Sequence, residues 1–317
     1  MDSGIKKEAF KTNIGGQALM EGVMMRGPSK IAIAVRKPNK EIELKVEEIN
    51  DLSDRFKILK LPIIRGAYKL IDAMKVGIDS LTYSASFWEE DEVQKSSSKD
   101  SFFKKIFKDK YDDVVMAITI LVSFVIAAGL FMILPSLVAG LLKDKLDSKV
   151  LLNLVEGLIR LLVFGIYIYY ISKLEDIRRV FEYHGSEHKS ISCYEAREEL
   201  TVENVRKYPI VHPRCGTSFL FMVMIISIIV LSFFGWPSIG MRILTRIIAL
   251  PIIAGIAYEV NRVIGKSDKK ICKLLAKPGM AIQKFATVRE PDDSMIEVAI
   301  TSLKAVIPED GVSDVWK

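Results

Sequence analysis

The chain reads as a mainly α, polytopic membrane protein with about four transmembrane helices and a small α+β cytosolic part. Three observations predict this: four long apolar runs between residues 114 and 264, a charged content of 26% that such runs alone cannot accommodate, and a polar window of histidines and cysteines between two of the runs. A mean hydropathy of +0.25 with 50% hydrophobic residues is high for a soluble protein, yet too many residues are charged for a chain lying wholly in lipid. A formal net charge of +6 is explained by basic residues that hold cytoplasmic segments in place. Aromatic and basic residues are not interleaved in a stripe, so the expected partners are membrane lipids and another membrane protein rather than nucleic acid. Three cysteines make no disulfide framework and suit reduced thiols on the cytosolic side. The polar start lacks the apolar core of a secretory signal, so insertion is expected to rely on internal spans.

Residues 1–60 form an N-terminal cytosolic segment. Within it, 15–28 concentrates glycines around Glu21 and Arg26 and predicts a tight, close-packed backbone with its methionines in the core. The spacing matches neither a dinucleotide fingerprint nor a P-loop. Residues 31–36 and 41–46 alternate apolar and polar side chains around Lys37-Pro-Asn-Lys40, the pattern of a hairpin.

Residues 61–110 combine an amphipathic helix and a linker. From 62 to 87, Ile63, Ile64, Ala67, Leu70, Ile71, Met74, Ile78 and Leu81 form a helical stripe suited to the membrane surface. Residues 89–110 read as a polar linker and a basic stretch anchored by Phe102, Phe103, Ile106 and Phe107.

Residues 111–265 hold the spans, predicted at 114–142, 150–172, 219–236 and 243–264, with a kink or end at Pro135. Glu156 and Arg160 lie four residues apart and predict an ion pair facing another helix. Arg246 and Glu259 either line a polar path or pair with each other or with Glu156 and Arg160. The loop 173–216 is rich in lysine and arginine, as is the tail 266–317, which places both on the cytoplasmic side and, with four spans, both termini there as well. The expected location is a cell membrane, crossed several times. From about Pro291 the tail reads as one amphipathic helix, with Pro291 and Asp292 in its first turn.

All three histidines fall in loop 173–216 or at its end. His184-Gly-Ser-Glu187-His188 has the H-x-x-E-H order, which on a helix points both imidazoles at one zinc ion with Glu187 as general base. That order also calls for a further acidic ligand, for which Glu195, Glu198, Glu199 and Glu203 are indistinguishable. His212-Pro-Arg-Cys215 offers a second source of ligands, so that His184, His188, His212 and Cys215 would close a four-ligand structural shell. Three of them would leave a catalytic position open. The plainer alternative makes the histidines surface and capping residues. Cys193 is expected to fill a core position, and Cys272 has no partner that would make it part of a site.

Five blocks, at 15–28, 62–81, 184–195, 200–219 and 287–300, together resemble the YqhQ-like family of bacterial membrane proteins across nearly the whole chain. The resemblance implies a metal-dependent enzyme. It points to Glu21 and Arg26, to His184, Glu187, His188 and Cys193, to His212, Arg214 and Cys215, and to Arg289, Glu290, Asp292 and Asp293. The functional expectation is a membrane hydrolase with zinc at the cytosolic face. Its alternative is a non-enzymatic scaffold or accessory factor, in which a structural metal or a hydrogen-bonded His/Cys cluster fastens the loop.

Overall fold

The computed structural model describes residues 10–88, 111–235, 237–267, 269–308 and 313–316. The linker 89–110, with Phe102, Phe103, Ile106 and Phe107, lies outside the described residues. The chain divides into two compact units. One comprises Met1–Phe87, Ile168–Val223 and Ala254–Lys317; the other comprises Trp88–Tyr167 and Met224–Ile253.

The first unit is built on an antiparallel sheet of β1 (Gly15–Leu19), β2 (Gly22–Arg26), β3 (Lys30–Arg36) and β4 (Ile42–Glu48), in that spatial order. The expected hairpin is β3–β4, paired from Lys30↔Glu48 to Arg36↔Ile42. The glycine-rich segment is a second hairpin, β1–β2, which closes with Leu19 opposite Gly22 and Glu21 at φ 50°. Gly22 is required there, because a Cβ would meet the Ala34 carbonyl oxygen at 2.6 Å. Met24 and Met25 are buried as expected, whereas Met20 sits exposed on the turn.

Alternation along the strands assigns the two sheet faces. Val23, Met25, Ala32 and Ala34 join one core with Tyr183, Ile191 and Cys193 of α6 (Glu175–Glu195) and Met295, Ile296, Ala299 and Leu303 of α11 (Asp293–Val306). Leu19, Met24, Ile31, Ile33 and Val35 face the other way, against Val76 and Tyr83 of α2 (Ile64–Ala85) and against Phe87. The sheet is therefore a middle layer, with helices on both faces. Asp292 caps α11 by accepting from the Met295 amide at 2.9 Å, as the expected first turn requires. Ser302 fixes the helix to the sheet by donating to the Ala32 carbonyl at 2.9 Å.

Helix α2 matches its predicted range, and its face is inverted relative to a soluble helix. Gly66, Gly77, Ser80 and Ser84 are buried, while Ile71, Met74, Ile78 and Leu81 are exposed. Two shorter helices, α1 (Leu52–Arg55) and α7 (Val202–Val205), lie in the connections, and α10 (Lys270–Ile282) precedes a π-helical turn at Gln283–Thr287.

The second unit carries α3 (Tyr111–Ala128), a π-helical turn at Gly129–Ile133 and α4 (Leu134–Gly140), along with parts of α5 (Lys149–Ile171), α8 (Gly216–Ser232) and α9 (Ile239–Lys266). Pro135 explains the break. It has no N–H to offer the Phe131 carbonyl one turn back, and Arg160 Nε takes that oxygen at 3.1 Å. The predicted Glu156–Arg160 pair is present at 3.2 Å, and Arg246 joins the same carboxylate.

Among the described residues three helices are long and apolar enough to cross a membrane: Ala117–Gly140, Lys149–Ile171 and Gly240–Lys266. The expectation of four is not met on length. The third predicted run forms the 17-residue helix Gly216–Ser232, roughly 26 Å long against a hydrocarbon core of about 30 Å.

Leu303 is fully buried in the α11 core. Leu303→Ala is expected to cost about 2–5 kcal/mol through the cavity it leaves, read as a lower unfolding temperature in detergent, whereas Lys304→Ala on the exposed side of the same helix leaves that temperature within a degree or two.

Candidate metal centre and its cavity

Helix α6 carries His184, Glu187 and His188 at relative positions i, i+3 and i+4, so all three project from one face. Their environment commits each donor atom. His184 Nδ1 lies 2.8 Å from the Thr287 carbonyl oxygen and His188 Nδ1 lies 2.6 Å from that of Ile210. A carbonyl can only accept, so both Nδ1 atoms carry hydrogen, and in the neutral rings both Nε2 atoms present lone pairs. Backbone acceptors behind histidines are the usual outer support of metal-ligating imidazoles.

Cys215, immediately before α8, completes the group. His184, His188 and Cys215 each offer a ligand atom, and the three atoms lie within 4.8 Å of one another, so the group can hold a metal ion. Cys215 Sγ stands 3.1 Å from His184 Nε2 and accepts from the Thr217 amide at 3.4 Å at the start of the helix. Burial raises the Cys215 pKa, but the neighbouring His184 and His188 outweigh it and hold the thiol well below its usual range. Burial likewise disfavours charge on His184, yet Cys215 beside it lifts the imidazole to about 9.

Two buried atoms at the centre lack a hydrogen-bond partner among the described residues: His188 Nε2 and Glu187 Oε2. Burying such groups unpaired is costly, and a cation between them would remove the cost. Glu187 receives the Gly16 amide, and burial raises its pKa ahead of the opposing pull of His188 and His184. Gly16 is needed at this point, since a Cβ would come within 2.9 Å of the Glu187 carboxyl carbon and 2.7 Å of the Met24 carbonyl oxygen. Gly185 has a similar role on α6. Any Cβ there would collide with the Arg289 carbonyl, so the chain leading from Thr287 to Arg289 can lie directly on the helix.

His212 is placed apart from the three. Its Nε2 faces Glu195 Oε2 at 3.4 Å, and Arg214 bonds the same carboxylate. Its main chain is held at both ends by Gln283, which accepts from the His212 amide and donates to the His212 carbonyl, each at 2.9 Å. Burial pushes the His212 pKa down. On Glu195, burial works against charge, but His212 and Arg214 hold the carboxyl below its usual range. Glu195, one of four acids considered as a further ligand, is therefore engaged by a cation and an imidazole. Cys193 is in the hydrophobic core, its thiol pushed up to about 11 by burial.

A cavity of about 530 Å³ opens onto Glu187 and Cys215. Its walls include Gly16 and Gln17 of β1, Arg26 of β2, Asp51, Lys69 and Arg214. Sequence reasoning missed Gln17, Asp51 and Lys69 as cavity residues. It flagged the glycines as close-packed backbone without linking them to Glu187. The carbonyls of Thr287 and Ile210 carry no sequence signal at all. Other residues carried by the family blocks act as ties: Glu21 bonds Arg179 at 2.6 Å and Tyr183 at 3.2 Å, Arg26 bonds Asp72 at 2.6 Å, Lys189 bonds Glu290, and Arg206 bonds Asp293 at 3.1 Å.

These features define a protein with membrane-type apolar helices and a His₂Cys group whose Cys215, with Glu187, lines a polar cavity. Residues 61–309 match the family described as protein of unknown function (DUF1385). The chain is 30% identical over 306 residues, 95% of its own length and 94% of the relative's, to the uncharacterized protein YqhQ of Bacillus subtilis (strain 168). It belongs to this YqhQ-like family. No solved structure matches it.

The ion pair at Cys215 has a direct chemical readout. In metal-free protein at pH 7, iodoacetamide is expected to alkylate Cys215 well ahead of Cys193, because its histidine neighbours hold the Cys215 thiol well below its usual range while burial pushes that of Cys193 up, with the sites mapped by peptide mass spectrometry. Equal labelling of the two would contradict the pairing with His184.

Proposed function

We propose that this protein is a membrane hydrolase in which His184, His188 and Cys215 hold a zinc ion and Glu187 is the general base. The observation that carries the reading is the pair of buried atoms that make no hydrogen bond among the described residues, His188 Nε2 and Glu187 Oε2, the latter 3.9 Å from His184 Nε2, beside a cavity large enough for a substrate group. Two imidazoles and a thiolate form a donor set suited to zinc, and three protein ligands are the number found in catalytic rather than closed sites. A bound zinc ion would polarise the oxygen of the scissile group and ease deprotonation of water.

The chain's own residues supply the remainder. Glu187 accepts a proton from the attacking water at its free oxygen and returns it to the leaving group, so that water adds across a peptide or lipid-derived acyl bond and the bond breaks. The Gly16 amide keeps the carboxylate oriented. Arg214, Lys69 and Arg26 put cationic groups on the cavity wall that can orient a polar head. His212, with Glu195 and Arg214, positions the loop that delivers Cys215.

We place the site on the cytosolic side of a bacterial inner membrane. The concentration of lysine and arginine around α6 and α10 supports that side, and a fourth crossing by α8 would bring both termini there. At 17 residues, that helix is at the short end of what spans a bilayer.

Metal analysis after purification without chelators tests the reading. Wild type and Glu187→Gln should each carry close to one zinc per chain, Cys215→Ala or His188→Ala should lose it, and His212→Ala should largely keep it. A Glu187→Gln protein that keeps zinc and still complements a deletion strain would favour the scaffold alternative. A metal-free wild type would sink both zinc readings.

A further inference from the structure

The segment between β4 and α2 has two chemically different sides. Asp51 and Asp54 line the cavity, as does Lys69 at the start of α2. In the same stretch Phe56, Ile58 and Leu61 are 51%, 59% and 51% exposed, and Ile63 and Ile64 are exposed as well. Arg55, Lys57 and Lys60 are interleaved with them, also exposed.

The segment is a built structure. Asp51 caps α1 through the Ser53 amide at 2.8 Å, accepts from Tyr68 Oη at 2.9 Å, and pairs with Lys69 Nζ at 2.5 Å. Lys57–Lys60 form a 3₁₀ turn, and Lys60 bonds Asp54 at 2.8 Å. Ile63 is held at φ 68°, a conformation that a β-branched residue adopts only under strong constraint. The constraint is α9. A Cβ on Gly66 would come within 2.8 Å of Gly255 Cα, and Arg65 Nε donates to Glu259 Oε1 at 2.6 Å.

Helix α9 belongs to the three apolar enough to cross a membrane, and Gly255 lies 11 residues before its end at Lys266, roughly 16 Å along the helix. The Ile63–Gly66 end of the segment thus lies against that helix about three turns inside its end, and Phe56, Ile58 and Leu61 lead up to that contact. Apolar side chains alternating with cations beside a span are the chemistry of a segment lying in an anionic lipid interface.

We propose that residues 52–64 form a lip that enters the lipid leaflet, and that the cavity behind it takes a bilayer-anchored amphiphile. The polar head to be cleaved enters past Asp51, Asp54 and Lys69, and the anchor stays in lipid along Phe56, Ile58 and Leu61. The substrate class rests on the hydrolase reading above; the position of the lip does not.

Full-length protein in vesicles of phosphatidylcholine and phosphatidylglycerol tests both parts. A p-benzoylphenylalanine probe in place of Ile58 or Leu61 should photo-crosslink to phospholipid at least tenfold more than the same probe at Leu44 or Val46, which are exposed on β4. Equal adducts at all four positions would overturn the lip. For the route, Ala73→Cys in the cavity wall should react with a maleimide carried on a phospholipid headgroup, while Lys304→Cys, on the helix across the sheet, should react with soluble maleimide alone. If Ala73→Cys reacts only with the soluble reagent, or with neither, the lipid-side route is wrong. None of these readouts needs hydrolysis, so a metal-free protein with a lipid-linked lip would refute the hydrolase and leave the lip standing.

Discussion

The centre depends on where two imidazole hydrogens go. With both Nδ1 atoms committed to carbonyls, neither ring can turn its other nitrogen away without leaving a buried donor unpaired, which costs about 1–3 kcal/mol. The carbonyls come from different stretches, Thr287 at the end of a π-helical turn and Ile210 in the loop after α7. One fully buried side chain, Gln283, joins those stretches. Its amide spans the His212 main chain and reaches Ser218 Oγ at 2.8 Å, so the loop, the start of α8 and the π-turn are held as one piece. The π-turn also frees the geometry that sends Thr287 across α6, where Gly185 leaves room for the chain beyond it.

A second network explains why His212 stands beside the centre instead of in it. Glu195, at the last turn of α6, accepts from the Thr12 amide at 2.7 Å and also binds Arg214 and His212. Thr12 in turn donates to Asp314 at 2.8 Å, and Tyr194 bonds the same carboxylate at 2.9 Å. The start of the described chain, its end and the end of α6 are thereby tied through two acids, Glu195 and Asp314. With one neighbour cationic and another a hydrogen-bond donor, Glu195 stays ionised at the expense of its availability as a ligand. Sequence spacing could place His212 near Cys215 but could not reveal this competing acceptor.

Local patterns were legible where one element decides them. Period-two alternation gave β3–β4, period 3.6 gave α2 and α11, and the H-x-x-E-H spacing put His184, Glu187 and His188 on one helix face. What stayed hidden depends on distant partners. The glycine-rich segment carries too little alternation to declare a hairpin, because Gly16 and Gly22 answer to close backbone approach, not to a buried face. The cavity joins residues from β1, β2, the lip, α2, α6 and the start of α8, and no short window contains that combination. A His/Cys group that could hold a metal was legible as to residue types, but that Cys215 rather than His212 falls within reach of His184 and His188 required seeing where Glu195 and Gln283 point. The fourth span is not confirmed at α8, because an apolar run measures composition, whereas crossing depends on the length of helix actually formed.

The charges inside the apolar helices bear on a different question, whether this chain offers a polar path through the membrane. Arg246 and Glu259, 13 positions apart on α9, are the residues on that helix suited to such a path. Each is already engaged by a partner of opposite charge: Arg246 by Glu156, and Glu259 by Arg65. Arg160 shares Glu156 and satisfies its other donors on Ser227 Oγ at 3.2 Å and on the carbonyl released by Pro135. Arg246 similarly reaches the Met132 carbonyl at 3.4 Å in the same π-turn. A carboxylate with three guanidiniums, those of Arg160, Arg242 and Arg246, backed by backbone oxygens that a helix irregularity exposes, is how buried charge is made tolerable among apolar helices. Breaking these pairs to pass an ion would leave Glu156 and its three arginines uncompensated, so the cluster reads as a lock between α5, α9 and the α3–α4 break, whereas the His/Cys group that could hold a metal lies in the other unit.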